Sequence, residues 1–135
     1  MRKHELPQES QVGRLKRRAD FLRVAAARRR WTAPGLVLQV CPQPAPTGPE
    51  AKTAESVRVG YTASRPVGHA VARNRARRRL KAVAAELIPA RAKAGLDLVL
   101  IARQATADCP FDDLRRDLLQ GLERTKAARP KRELS

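Results

Sequence analysis

Apolar side chains recur at helical spacing in the middle of the chain. Ala76, Leu80, Val83 and Leu87 follow one another at intervals of four, three and four residues, which places them along one stripe of an α-helix. Charged and polar residues fill the opposite side of the same helical wheel. The pattern predicts a helix that packs against a core along this stripe and that ends at Pro89.

Three other stretches have the pattern of β-strands. Residues 36–40 form a short apolar run rich in β-favouring side chains, and residues 56–62 alternate between apolar and polar positions. Residues 96–102 are almost continuously apolar, as in a strand that is buried on both faces. Because a strand, the central helix and another strand follow in succession, we predict a βαβ unit.

Two amphipathic stretches predict further helices. In the first, from about residue 19 to residue 29, Phe21 and Val24 share a face, and Pro34-Gly35 follows as a break. In the second, Pro110 precedes two acidic residues and an apolar stripe at helical spacing. That stripe comprises Phe111, Leu114, Leu118 and Leu122.

These elements predict one mixed α/β (α+β) domain at residues 14–124. Their order is α-β-β-(β)-α-β-α, in which the bracketed strand is an additional short one. Residues 1–13 lack periodicity and are predicted to be a flexible lead-in, and residues 125–135 a flexible basic tail. Four prolines mark residues 41–56 as a flexible connector inside the domain.

The chain is strongly basic. Its 29 Lys and Arg residues against 13 Asp and Glu give a formal net charge of +16. Self-repulsion of this size indicates a phosphate-rich partner, and the predominant arginine has a planar fork that suits phosphates and base edges. Aromatic residues make up only 3% of the chain, which disfavours binding to a membrane surface. Nucleic acid is therefore the predicted partner.

Targeting and metal-binding signals are missing from the sequence. No apolar run approaches the length of a membrane span, and residues 1–12 lack the hydrophobic segment of a secretory signal. Cys41 and Cys109 are widely separated and have no metal-ligand spacing with His4 or His69. We interpret the cysteines as buried or idle thiols and expect a cytoplasmic protein.

The central helix carries the densest charge in the chain. Six cationic side chains fall within nine positions, and Glu86 is the only nearby anion. The i,i+4 ion pairs typical of a solvated helix are therefore missing, and we interpret this side as an RNA-binding face rather than a solvated one. The six are Arg73, Arg75, Arg77, Arg78, Arg79 and Lys81.

The approach to this helix resembles a family signature. The segment RVGYTASRPVGHAVARNR at residues 58–75 is similar to the pattern RVGxxxSxxxGxAVxRNRxKR of the bacterial ribonuclease P protein subunit. Asp20-Phe21 and the segment 97–103 match two further segments of that family in the same order. The resemblance covers roughly residues 14–122.

The resemblance implies a two-layer α/β sandwich of the ribosomal protein S5 domain 2-like type, with a left-handed βαβ crossover against the usual right-handed rule. It also implies that the protein binds ribonuclease P RNA and that the pair removes the 5′ leader from precursor tRNA. In that assembly the RNA holds Mg²⁺ and hydrolyses the phosphodiester bond. The protein chain alone is expected to bind no cofactor, and no DNA, membrane or obligate protein partner is expected.

The resemblance also assigns residues to roles, with no catalytic and no metal-binding residue in the protein. Ala25 and Gln39 stand where the family often has aromatic residues, so the leader cleft should rely more on charge. Pro66 replaces a usual lysine. The expected RNA-binding residues are Ser64, Arg65, Arg73, Asn74, Arg75, Arg77, Arg78 and Lys81. The expected leader-cleft residues are Arg17, Phe21 and Gln39.

Several interpretations stay open. A purely structural RNA-binding protein of ribosomal type, with no role in cleavage, is the alternative function. Phe21 either packs in the core or lines the cleft, and Trp31 either covers the sheet edge or meets RNA. Tyr61 lies on the apolar face of its strand and is interpreted as a core residue, and His69 as a loop residue.

A protein-only nuclease and a DNA-binding factor are disfavoured. The first needs clustered acidic or histidine metal ligands, and the second usually shows a helix-turn-helix or a dimer signature. Asp112, Asp113 and Asp117 are explained by a helix N-terminus and by neighbouring arginines rather than by a magnesium site.

Overall fold

The computed structural model describes residues 11–44 and 56–129. Most of the predicted proline-rich connector, together with residues 1–10 and 130–135, lies outside the described residues. The strands are β1 (Gln11–Arg14), β2 (Arg29–Thr32), β3 (Leu36–Pro42), β4 (Ser56–Thr62) and β5 (Leu96–Ala102). The helices are α1 (Arg18–Ala26), α2 (Ala70–Arg91) and α3 (Phe111–Arg124), with short 3₁₀ turns at Arg65–Val67 and Gln104–Ala107.

The strands form one mixed sheet in the order β1-β4-β5-β3-β2. β4 lies parallel to both β1 and β5, whereas β3 is antiparallel to β5 and to β2. Helix α2 connects the parallel neighbours β4 and β5, which confirms the predicted βαβ unit. The left hand of its crossover stays a prediction.

The main core lies between the sheet and the helices α2 and α3. Ala76, Leu80 and Val83 on the predicted stripe of α2 are fully buried, and alternate residues of β3, such as Leu36 and Leu38, meet the same cluster. The stripe of α3 is also confirmed, since Leu114, Leu118 and Leu122 are fully buried and Phe111 is half-buried. Burial of this apolar surface is the main force that holds the two helices on the sheet.

Helix α1 lies on the opposite face of the sheet. A smaller cluster there joins Leu15, Val24, Cys41 and Val99. The predicted α/β sandwich is therefore confirmed for the sheet with α2 and α3, and α1 adds a partial layer on the second face. Within the described part of the chain, no helix is long and apolar enough to cross a bilayer.

The first helix ends earlier than predicted, and an edge strand follows it. Helix α1 stops at Ala26, and Arg28 adopts a left-handed backbone conformation with a φ of 59°. The chain then forms β2 rather than a last helical turn. Pro34 and Gly35 do not stop the helix but turn the β2–β3 hairpin, in which the Ala33 amide donates to the Leu36 carbonyl at 2.9 Å.

The predicted flexible ends of the domain contribute residues to the fold. Residues 11–13 of the predicted lead-in form most of β1, which pairs with β4. After α3, Thr125 and Ala127 are buried, and Ala128 pairs with Ala92 in an isolated bridge. The connector also begins later than predicted, because Cys41 and the following proline belong to β3.

Pro89 does not end α2, which continues to Arg91. A proline in a helix lacks the amide hydrogen for one bond and crowds one carbonyl of the preceding turn. Here the proline lies in the last turn, and the helix still closes with the Ala92 amide donating to the Ile88 carbonyl at 3.0 Å.

Candidate nucleic-acid interface

Helix α2 carries most of the predicted RNA-binding residues, and the loop before it sets where the helix begins. In the 3₁₀ turn that Arg65 begins, the Val67 amide donates to the carbonyl of the exposed Ser64 at 3.0 Å. Gly68 then has a φ of 138°, a backbone conformation that favours glycine. His69 is the exposed residue before the helix, which confirms its interpretation as a loop residue.

One side of α2 presents cations that have no acidic partner. Its cations are Arg73, Arg77, Arg78 and Lys81. Within residues 11–44 and 56–129, no carboxylate oxygen lies within 4 Å of their charged nitrogens. An Arg73 guanidinium nitrogen instead donates to the Gly68 carbonyl at 3.1 Å, and Arg77 donates to the Asn74 side chain at 3.2 Å. We call this side the α2 cationic surface; it comprises Arg73, Asn74, Arg77, Arg78 and Lys81.

The α2 cationic surface continues onto the sheet beneath the helix. The Lys81 ammonium lies 5.9 Å from the centre of the Tyr61 ring, on β4. Tyr61 is half-buried and packs against the main core, as predicted. Burial raises the pKa of its hydroxyl, which the nearby Arg14 partly offsets. The tyrosine is thus neutral at ordinary pH, and the charge of this region comes from Lys81, Arg14 and the arginines of α2.

The other side of α2 faces the turn before α3, and there the Arg79 charge is used within the protein. Arg79 donates to the carbonyls of Ala107, at 2.8 Å, and Cys109, and its guanidinium lies 5.9 Å from the Phe111 ring centre. Arg75 is half-exposed and 4.0 Å from a carboxylate oxygen of Asp108. The six cations that the sequence presents as one group therefore divide into an unpaired set and a set that faces α3.

Helix α1 and the second face of the sheet form the region expected to hold the leader. A β-carbon at Gly60 would lie 2.5 Å from two carbons of the Phe21 ring, so the ring rests directly on the backbone of β4. Phe21 is half-buried and packs against the smaller cluster. In register across the sheet, Gly60 pairs with Val99, which pairs with Gln39. Phe21 and Gln39 therefore lie close together on this face of the sheet, and their role at the leader stays a prediction.

Not every expected cleft residue is equally accessible. Gln39 is only 9% exposed, so most of its side chain is covered. Arg17 is exposed at the start of α1, and its carbonyl accepts the Asp20 amide at 3.0 Å. Arg30, which the sequence analysis did not assign to the cleft, pairs in register with Gln39 on β2 and is exposed. Because side chains of a strand alternate between the two faces of the sheet, Arg30 lies on the same face as Gln39 and adds a positive charge there.

A buried ion cluster that the sequence analysis missed fixes α1 on the sheet. Asp97 is fully buried, and Arg58 donates to its two carboxylate oxygens at 2.8 and 2.6 Å. Arg23, from α1, donates to the same carboxylate and, at 3.0 Å, to the Pro42 carbonyl. A carboxylate inside a nearly continuous apolar strand is a sequence signal for such a cluster, because a buried charge needs a partner.

The charges of this cluster reinforce one another. Hydrogen bonds to Asp97 raise the pKa of the Arg58 guanidinium, against the opposing effect of burial. Burial lowers the pKa of Arg23, but the hydrogen bond and the charge of Asp97 outweigh it, so the net pKa is raised. Both arginines are thus fully charged, and they connect the helix that carries Phe21 to strands β4 and β5.

The acids of α3 serve the fold, as predicted. Asp112 pairs with Arg115, and Asp113 with Arg116 at 3.3 Å. The nearly fully buried Asp117 accepts the Gly35 amide at 2.9 Å. Among the described residues, no three His, Cys, Asp or Glu side chains come together as a ligand set for a metal ion.

Trp31 packs on the α3 side of β2, which decides between its two interpretations. A β-carbon at Gly121 would lie 3.1 Å from both Trp31 and Leu38, so the glycine makes room for the indole. The indole nitrogen is buried, and the Arg124 guanidinium lies 5.4 Å from the ring centre. Trp31 therefore covers the edge of the sheet.

Comparison with known proteins agrees with this geometry. The Ribonuclease P family model matches residues 10–126. The ribonuclease P protein component of Paramagnetospirillum magneticum is 52% identical over 118 residues, which cover 87% of this chain and 86% of that protein. The ribonuclease P protein component of Ruegeria pomeroyi is 42% identical over 122 residues, which cover 90% of this chain and 92% of that protein.

Solved structures share the fold. The RNase P protein from Staphylococcus aureus matches with a TM-score of 0.65 and 23% identity, covering 86% of this chain and 97% of the other. The RNase P protein from Thermotoga maritima matches with a TM-score of 0.61 and 22% identity, covering 79% and 92%. These likenesses confirm the mixed sheet-and-helix architecture.

Proposed function

The chain belongs to the family of ribonuclease P protein components, and on this premise we propose that it binds ribonuclease P RNA and the 5′ leader of precursor tRNA. Binding promotes endonucleolytic removal of the leader and so gives the mature 5′ end of tRNA. The observation that carries the proposal is the α2 cationic surface, whose arginines and lysine lack acidic partners among the described residues. Unpaired guanidinium groups on a rigid helix are suited to backbone phosphates.

In the proposed assembly the RNA subunit performs the hydrolysis. Mg²⁺ held by that RNA supplies the chemistry at the phosphodiester bond. The protein neutralises RNA phosphates with Arg73, Arg77, Arg78 and Lys81, and it holds the single-stranded leader in the cleft that α1 forms with the neighbouring surface of the sheet. Phe21 is the only aromatic residue of that region, and stacking on one ring contributes about 1–3 kcal/mol per base. Charge from Arg17 and Arg30 therefore supplies much of the affinity for the leader.

The same proposal covers the partners and the compartment. Ribonuclease P RNA and precursor tRNA are the partners, and the protein needs no DNA, membrane or obligate protein partner. Processing of tRNA places it in the cytoplasm. The alternative, a purely structural RNA-binding protein, predicts binding without any effect on cleavage.

Cleavage of a precursor tRNA at low Mg²⁺ tests the proposal. A bacterial ribonuclease P RNA is assayed with this protein, without it, and the protein is assayed alone. We expect cleavage at the mature 5′ end to require the RNA and to be strongly enhanced by the protein. If the protein binds RNA but leaves cleavage unchanged, the structural alternative holds. Cleavage by the protein alone would reveal an active site within the chain.

A further inference from the structure

A second group of basic residues lies where β2 meets the end of α3. Arg28 precedes β2, Arg124 ends α3, and Lys126 follows two residues later. All three are exposed. Across the two described ranges, none of them has a carboxylate within 4 Å of its charged group. We call Arg28, Arg124 and Lys126 the β2 basic surface.

Two contacts bring these residues together and keep their charges outside. The Arg29 Nε donates to the Thr125 carbonyl at 2.5 Å. Arg28 precedes Arg29 and Lys126 follows Thr125, so the two residues flank the same junction. Arg124 lies over the Trp31 ring, whose own nitrogen is buried. The interior of the junction is thus held by Arg29 and Trp31, with Arg124 over the indole, and Arg28 and Lys126 are not needed to close it.

The backbone at two of these positions would suit glycine. Arg28 has a φ of 59° and Lys126 a φ of 61°, and within the described residues they are the only residues other than glycine with a positive φ. Glycine adopts this conformation without steric strain, whereas a residue with a β-carbon does not. Each of the two residues follows the end of a helix, where the chain commonly turns through a left-handed residue and glycine is preferred. The cationic side chains at these positions are therefore not required by the backbone.

The β2 basic surface is separate from the α2 cationic surface. β2 forms one edge of the sheet and β1 the other, and Lys81 of α2 lies over β4, which is next to β1. The two surfaces therefore lie over opposite halves of the sheet.

We propose that the β2 basic surface binds the phosphate backbone of a second RNA segment, away from the one held by α2. The proposal rests on the proposed function only for the identity of the RNA, which is either ribonuclease P RNA or precursor tRNA. The competing explanation is that the charges protect an exposed edge strand from pairing with other chains, as charged residues on edge strands do.

The double variant Arg28→Gly/Lys126→Gly tests the proposal, because glycine removes the charges and suits the backbone. We expect the melting temperature to stay unchanged or to rise, since strain is relieved. We expect the slope of log affinity against log salt concentration to flatten by roughly one to two units, because each lost phosphate contact removes about 0.7–0.9. The matched control is Arg116→Gln, which removes a charge that is paired with Asp113.

Separate titrations with ribonuclease P RNA and with precursor tRNA assign the surface to one RNA or the other, and a flattened slope with either supports the proposal. The conservative variant Arg28→Lys/Lys126→Arg should keep the original slope. Arg77→Ala in the same titrations reports on the α2 cationic surface, so failure of one surface is distinguished from failure of the other. An unchanged slope for both RNAs in the glycine variant overturns the proposal, and so does a flattened slope that the conservative variant shares.

Discussion

Phe21 is the residue at which the small cluster under α1 and the candidate leader cleft meet. The sequence left two roles for it, and the structure shows that the ring packs on Gly60 while the residue stays half-buried. Its neighbour across the sheet, Gln39, is in the expected region but is largely covered. Their role at the leader stays a prediction, and only the packing of α1 on the sheet determines how much of each side chain is accessible.

Gly60→Ala should destabilise the protein and weaken leader binding. The added β-carbon meets the Phe21 ring at 2.5 Å and the Leu15 β-carbon at 3.2 Å, so the ring and α1 must shift. We expect the free energy of unfolding to fall by about 1–3 kcal/mol, as in other overpacked cores. Urea unfolding measures the change in stability. The ratio of the affinities for leader-bearing and leaderless tRNA measures the loss of leader binding. Gly13→Ala is the control, since its β-carbon would be 3.5 Å from Arg58 and should be tolerated.

Asp97→Asn should loosen α1 without unfolding the domain. The substitution removes the charge shared by Arg23 and Arg58, and those guanidinium groups remain about one-third exposed. We therefore expect a loss of about 2–3 kcal/mol, below the 3–5 kcal/mol typical when a fully buried pair is broken. Chemical denaturation gives the stability, and Asp113→Asn, at a surface pair, should change it by less than about 1 kcal/mol. Equal losses in the two variants would contradict a structural role for the buried cluster.

At the scale of elements, the hydrophobic pattern predicts those that bury a regular face. Strands β3, β4 and β5 and helices α2 and α3 belong to this group. β1 was not predicted, and the additional short strand that the sequence predicted, β2, was not located, because both patterns are too weak: Val12 in β1 is 41% exposed, and β2 alternates only between half-buried and exposed residues. β1 pairs with β4, which is distant in sequence, whereas β2 pairs with its neighbour β3 across a short hairpin. The left-handed Arg28 that follows α1 has no signal of its own in the sequence.

The division of α2 into two sides was likewise beyond the sequence. A helical wheel identifies Arg79 as a cation beside the apolar stripe, but it cannot show that the carbonyls of Ala107 and Cys109 lie within reach. Those acceptors are provided by the turn before α3. Tertiary placement of that turn therefore decides which arginines of α2 stay unpaired.

Arg77→Ala and Arg79→Ala should separate binding from folding. Arg77 belongs to the α2 cationic surface, so its loss should flatten the salt dependence of RNA affinity by roughly one unit and leave stability nearly unchanged; Arg78→Ala should act in the same way. Arg79 satisfies two carbonyls, so its loss should lower the free energy of unfolding by about 1–3 kcal/mol with a smaller effect on the slope. Salt titrations and urea unfolding of both variants supply the measurements. A larger fall in the free energy of unfolding for Arg77→Ala than for Arg79→Ala would contradict the division of α2 into a binding side and a folding side.

At the scale of the whole molecule, the acids and the bases have different tasks. Several carboxylates are used within the fold: Asp97 under α1, Asp117 at the β2–β3 turn, and Glu86 in a link between α2 and Arg115 of α3. The hydrogen bond from Arg115 lowers the pKa of Glu86, which keeps this link charged at neutral pH. Because these carboxylates are paired within the fold, the net positive charge of +16 lies on the two basic surfaces and elsewhere on the exterior.

This charge distribution predicts that salt stabilises the free protein. The Debye length falls from about 30 Å at 0.01 M to about 8 Å at 0.15 M, so repulsion across the molecule is screened while close pairs such as Glu86–Arg115 keep most of their attraction. We expect the melting temperature to rise by roughly 3–8 °C over that range. Arg77→Gln/Arg78→Gln should raise the melting temperature at low salt and reduce its salt dependence, whereas Arg116→Gln, which removes a paired charge, should not. A melting temperature that falls with added salt would mean that attraction within ion pairs outweighs repulsion between like charges. In that case the α2 cationic surface would cause no destabilising repulsion for an RNA phosphate backbone to relieve.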